Sequence, residues 1–202
     1  MGRSNSLEVP AFEYVEKRLC KPIDLERRSI GLTAVVGTHG MDTDSMIRLV
    51  RDGEFSRAEA VGLGNNFYLT FNPSYKYWKK SDFAEEAARA VGQAGIYNPV
   101  KTSIGYASSR LASSEPSPTP VRYERGRVIV DELTDSQEEG FVLSFNNSVL
   151  PLINEIRLDE NLEGIEAEIE LRNAPSLPSV SRIYPISEVA LDSIRETIQD
   201  LR

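Results

Sequence analysis

Short apolar, strand-forming runs crowd the second half of this chain and leave little room for helices between them. Phe141–Phe145 (FVLSF), Leu152–Leu158 (LINEIRL) and Glu166–Leu171 (EAEIEL) follow at short intervals, and Ile183 lies in a further extended segment. Parallel neighbours need a crossover of about a dozen residues or more, usually helical, whereas antiparallel neighbours need only a turn. Strands spaced this closely therefore turn back on one another. The spacing predicts an α+β fold with a largely antiparallel or mixed sheet and flanking helices.

The first half carries the helical period. Ala11 to Leu19 places Phe12, Val15 and Leu19 on one face. Gly31 to Gly40 (GLTAVVGTHG) reads as a buried strand. A helix follows, capped by Asp42, Thr43 or Asp44, with Met46, Ile47 and Val50 recurring on one side and Gly53 at its stop. Ser81 is placed to cap another helix, with Phe83, Ala84, Ala87, Ala88 and Val91 as its buried stripe and Gly92 at its end. Further strands are predicted near Lys101–Tyr106 and Arg127–Val130. Between them Ser113–Pro120 (SSEPSPTP) cannot hold regular structure. The final helix, within 187–202, carries Val189, Leu191, Ile194, Ile198 and Leu201 on one side. The reading is a single domain over 1–202, with an N-terminal helical segment (1–29) and an exposed loop region (113–136), since 202 residues fill one well-packed core better than two.

Composition removes several function classes. A formal net charge of −8 argues against a nucleic-acid binder or an anionic-membrane binder, which need a basic face. Cys20 is the only cysteine, so no internal disulfide forms, and with His39 the only histidine a His/Cys zinc site is excluded. Residues 1–20 lack the apolar core of a signal peptide, and no run reaches membrane-span length. A cytoplasmic protein, or a delivered effector without a cleavable signal, is the expected setting.

Two motifs carry chemistry. Gly37-Thr38-His39-Gly40 ends a buried strand in small residues that let a ligand approach the backbone. Gly62-Leu63-Gly64-Asn65-Asn66-Phe67-Tyr68-Leu69-Thr70 turns tightly into a strand that opens on an aromatic pair. It is neither a dinucleotide-binding GxGxxG nor a GK[ST] P-loop. Tyr75, Tyr77 and Trp78 follow, able to offer a π-face to a flat ring or to fill the core.

The order of these pieces resembles the ADP-ribosyltransferase superfamily, closest to its diphtheria-toxin-like branch of the His-Tyr-Glu type, which includes the poly(ADP-ribose) polymerases. Members carry a strand ending in His-Gly, a helix, a glycine turn leading to a tyrosine strand, an alanine-rich helix and a later strand with a glutamate. The counterparts are THG at 38–40, GLGNNFYLT at 62–70, DFAEEAARAV at 82–91 and EEGFVLSFNNSVLPLINEIRL at 138–158, so the resemblance spans roughly residues 30 to 160.

The resemblance implies a split β-sheet and NAD as substrate, with no metal. His39 would bond the nicotinamide-side ribose, and Gly40 the carboxamide. Tyr68, beside Leu69, would stack on the nicotinamide, with Tyr77 or Trp78 closing the other side. The glutamate would be Glu139, which shares strand parity with Phe141, or Glu138, since the register differs from the family's by one or two residues. The same pair also reads as a solvated charged turn beside Asp131, Glu132 and Asp135. The activity implied is transfer of a single ADP-ribose to a macromolecule, protein before nucleic acid, met at the 113–136 loop region. NAD hydrolysis on the same fold and an inactive interaction module are the alternatives.

Overall fold

A computed structural model describes residues 9–23, 33–55, 67–93, 103, 121–123, 128–130, 140–161 and 164–202. It is an α+β structure built on a six-stranded antiparallel sheet in the order β6-β7-β2-β1-β5-β8. The strands are β1 (Gly37–Asp42), β2 (Phe67–Phe71), β5 (Gly140–Phe145), β6 (Ile153–Asn161), β7 (Gly164–Leu171) and β8 (Val180–Pro185). A separate hairpin pairs β3 (Val121–Tyr123) with β4 (Val128–Val130). Helices α1 (Ala11–Glu16), α2 (Thr43–Asp52), α3 (Ala84–Gln93) and α4 (Glu188–Asp200) flank the sheet. Among the described residues no helix is long and apolar enough to cross a membrane.

Register divides the sheet into two faces, because residues paired across neighbouring strands point the same way. Met41, Leu69, Phe71, Phe141, Leu143, Phe145, Ile169, Leu171 and Ile183 share one face and form the core with Met46, Leu49 and Val50 of α2 and Ile194 and Ile198 of α4. Thr38, Thr70, Ser144 and Glu170 share the other face, and all four are buried. Helix α2 begins where the Asp42 carboxylate accepts the Ser45 N–H at 2.6 Å. It ends at Gly53, whose φ of 72° closes the helix with an N–H to the Leu49 carbonyl. In α4 the Ser187 hydroxyl accepts from Ala190 N. The chain after α1 lies against β8: Leu19 makes a parallel bridge to Ile183, and Ile23 N donates to the Pro185 carbonyl. That contact covers part of an otherwise open sheet edge.

Several boundaries differ from the sequence reading. The strand expected over Gly31–Gly40 begins only at Gly37, after a turn at Thr33 and Ala34; Val35 and Val36 are buried, with Val36 N donating to the Phe145 carbonyl and the Val35 carbonyl accepting from Asn72 Nδ2. In α3 the buried stripe is Ala87 and Ala90, while Ala88 and Val91 face solvent, and the helix runs through Gly92 to Gln93. In α4 the buried line is Ala190, Leu191, Ile194, Thr197 and Ile198, which leaves Val189 and Leu201 exposed. Of the strand expected over 101–106 only Ser103 is described, and it is helical. The loop expected at 113–120 lies outside the described residues.

Gly37 has a steric requirement that Gly92 lacks. A Cβ at Gly37 would lie 2.8 Å from the Thr70 carbonyl oxygen and 3.0 Å from Leu69 Cβ, whereas one at Gly92 meets nothing within 4 Å. Chemical denaturation is expected to show Gly37→Ala losing about 1–3 kcal/mol through overpacking. Gly92→Ala is expected to gain about 0.5–1 kcal/mol from helix propensity.

Tyr184 supplies a pH test. Burial raises its pKa, helped by Cys20 and opposed by Arg182. The folded chain therefore keeps a proton that the unfolded tyrosine releases first. Stability is expected to fall as pH rises past about 10, and urea midpoints should fall less steeply there for Tyr184→Phe.

Candidate functional site

β1 lies at the centre of the sheet, but its two partnerships are unequal. It pairs with β5 along its whole length, from Gly37↔Phe145 to Asp42↔Gly140. With β2 it pairs only at Gly37↔Phe71 and Thr38↔Thr70. β2 meanwhile stays paired to β7 from Thr70↔Glu168 back to Phe67↔Leu171. The sheet consequently parts between the second half of β1 and the first half of β2.

His39 stands at this parting. Its Nδ1 lies 2.8 Å from the Tyr68 carbonyl oxygen. A carbonyl only accepts, so Nδ1 carries the proton and donates; in the neutral ring Nε2 is then an acceptor. The imidazole packs on Phe67 with centroids 4.4 Å apart, and Phe67 meets Phe55 and Phe145 in an aromatic cluster. The ring is thus anchored by a hydrogen bond and an apolar floor while staying partly exposed.

Tyr68 is also partly exposed, but its ring leaves β2 on the face opposite Phe67 and the imidazole. The structure brings His39 to the backbone of Tyr68, not to its ring. The Tyr68 ring instead has the Arg157 guanidinium at 5.9 Å from its centroid. Arg157 NH2 pairs with Glu170 Oε2 at 2.6 Å, and its Nε bonds Glu155. Hydrogen bonding to Glu155 is the main cause that raises the guanidinium pKa above its ordinary value, burial opposing it and the charge of Glu155, Glu170 and Tyr68 adding to it. Nearer the root of the parting, on the same face, Thr38 Oγ1 lies 2.7 Å from Ser103 Oγ, which lies 3.3 Å from Thr70 Oγ1. All three hydroxyls belong to buried residues, so they tie both strands to Ser103.

The remaining candidates fall in different settings. Gly40 and Leu69 are buried. Trp78 is 5% exposed, stacked on Phe71 at 5.2 Å, with its indole N–H donated to the Asn72 carbonyl at 2.7 Å, so its ring serves the core. Tyr77 is 44% exposed, edge-on to Tyr75 with Lys76 over its ring, and is the more accessible of the two. Thr43, at the start of α2, is buried with its hydroxyl unpartnered among the described residues. Glu138 and Glu139 lie outside the described residues; Gly140, which follows them, sits opposite Asp42. Among the described residues no group of three or more His, Cys, Asp or Glu side chains could hold a metal ion. A half-open groove of about 400 Å³ lies between residues 19–21 and α4, lined by none of the site candidates.

Sequence reasoning passed over Arg157, Glu170, Ser103 and Asn72. Asn72 is fully buried, donates to the Val35 carbonyl and accepts from Ser74 N, which fixes the turn after β2. The one available signal for Glu170 is its place two residues from Glu168 in a strand, which reads equally as a solvated face. No family model matches the chain, and no curated protein and no solved structure matches it.

The single histidine makes the tautomer directly measurable. Imidazole ¹⁵N spectra above the histidine pKa are expected to show the Nδ1-protonated form. An Nε2-protonated majority would mean that the bond to the Tyr68 carbonyl is not made in solution.

Proposed function

We propose that this chain is an NAD-dependent ADP-ribosyltransferase that moves a single ADP-ribose to a protein acceptor and releases nicotinamide. The observation that carries the reading is the parting of the sheet at His39, with Nδ1 bonded across it to the Tyr68 carbonyl. This puts the His-Gly strand directly beside the tyrosine strand, with the strand that follows Glu138 and Glu139 on its other side. The sequence resemblance calls for these three strands, and a split sheet agrees with it.

In the proposed reaction the bond between ribose C1′ and the nicotinamide nitrogen breaks. Its electron pair passes to the departing ring, which leaves neutral, and positive charge builds on the ribose. A carboxylate stabilises that charge and receives the proton of the attacking acceptor, as in glycoside chemistry. Glu139, or Glu138, is assigned that part. His39, held by the Tyr68 carbonyl, is assigned to a ribose hydroxyl through Nε2, Gly40 to the carboxamide, and Tyr68, whose ring leaves the opposite face, to the nicotinamide ring of a ligand that lies in the parting itself. Leu69 is buried in the core on the other face from the Tyr68 ring, and Tyr77 is the more exposed aromatic, assigned to approach from outside. The reaction needs no metal.

Nicotinamide release from NAD by the purified protein, with a cell lysate as acceptor, tests the reading. His39→Ala and Glu139→Gln are each expected to slow release by about 10²–10³-fold, and Tyr68→Ala, which removes a stacking surface, to raise the KM for NAD about tenfold. Labelled ADP-ribose on protein identifies transfer; release without label identifies an NAD glycohydrolase. Binding of NAD with no release, unaffected by Glu139→Gln, would identify an interaction module, and no binding at all would end the NAD reading.

A further inference from the structure

We infer that Arg157 and Glu170 form a positioning pair that presents the Tyr68 ring to a flat aromatic ligand, which on the proposed reading is nicotinamide. Glu170 is 2% exposed, yet it sits in a strand whose alternation would place it in solvent. A carboxylate is buried this deeply only when it is paired. Glu170 accepts from Asn154 Nδ2 at 3.0 Å and pairs with Arg157 at 2.6 Å. It is also the residue directly opposite Tyr68 in the β2–β7 ladder.

The pair is built around that ring. Arg157 reaches across from β6, its fork held by buried Glu170 on one side and by exposed Glu155 on the other. This leaves the guanidinium 5.9 Å from the Tyr68 centroid, within the range of a cation–π contact. Other duties suit these residues poorly. Glu170 is too enclosed to reach a sugar, and two carboxylates already match the charge of Arg157, so it is a weak anchor for phosphate. What remains is a flat cation fixed beside an aromatic ring. It limits the orientations of Tyr68 before a ligand arrives, which lowers the ordering cost of stacking.

The test combines kinetics with ring NMR. Arg157→Lys keeps the charge but not the planar fork. The double variant Arg157→Met, Glu170→Gln removes both charges without stranding a buried carboxylate, and so keeps the fold. Stacking acts on bound substrate and transition state alike, so the KM for NAD should rise about tenfold in both variants with kcat little changed. The ¹³C-labelled tyrosine ring signals assigned by Tyr68→Phe should shift in both. Unchanged KM with unmoved Tyr68 signals overturns the inference, as does a fall in kcat at constant KM, which would place the pair in the chemistry. The ring signals need no NAD. If the wild type neither binds nor cleaves NAD the transferase reading fails, while a shift of the Tyr68 signals still supports the positioning role and unmoved signals overturn it.

Discussion

Only two residue pairs join β1 to β2, and at the first of them a Cβ on Gly37 would press on the Thr70 carbonyl of the neighbouring strand. At that point the two backbones are locked together. Beyond Thr38 each strand follows its other neighbour instead, β1 along β5 and β2 along β7. The opening is therefore a consequence of competing ladders, and the His39 bond to the Tyr68 carbonyl is what still spans it. Every candidate contact to a ligand depends on how far these ladders hold the two strands apart.

The two faces of the sheet are stabilised by different physics. One is a conventional apolar core in which phenylalanines from β2 and β5 interlock with α2. The other buries hydroxyls and a carboxylate, each of which needs a specific partner to offset its desolvation. Thr38, Thr70 and Ser103 supply one another, and Glu170 takes Asn154 and Arg157. An apolar face tolerates small shifts of its side chains. A hydrogen-bonded face does not, because each displaced donor leaves an acceptor behind. The less forgiving face is the one that carries the Tyr68 ring.

Much of the fold is legible in the residues, and the exceptions have physical causes. The runs at 141–145, 152–158 and 166–171 announce β5, β6 and β7 through local alternation or unbroken apolar character, though β6 and β7 extend further toward the turn between them, and α2 is announced by its cap at Asp42 and its glycine at 53. Val35 and Val36 precede β1 yet are already hydrogen-bonded, Val36 N to the Phe145 carbonyl and the Val35 carbonyl to Asn72, so the strand's start is an irregular boundary that composition does not mark. Alanines in α3 conceal their face, since Ala87 and Ala88 read alike and only tertiary contact separates them. The motifs that carry the candidates His39 and Tyr68 lie on neighbouring strands. The opposite directions of their side chains depend on register between strands distant in sequence, which no local pattern carries. Glu170 escaped for a related reason: alternation marks it as solvent-facing, and its burial comes from elsewhere in the fold.

The strand order has a consequence for how the chain is made. β1 takes its most extensive pairing from β5, which begins about a hundred residues later, and the segment after α1 docks on β8, later still. During synthesis, the central strand emerges long before the partner that completes it. Until then β2 is its sole neighbour in the final sheet, through the two pairs at Gly37 and Thr38. Contacts this distant along the chain are slow to form because the intervening loop must close first. The apolar residues of β1 and α2 thus wait for the C-terminal half, and a ribosome-bound fragment ending before residue 140 lacks the means to shelter them.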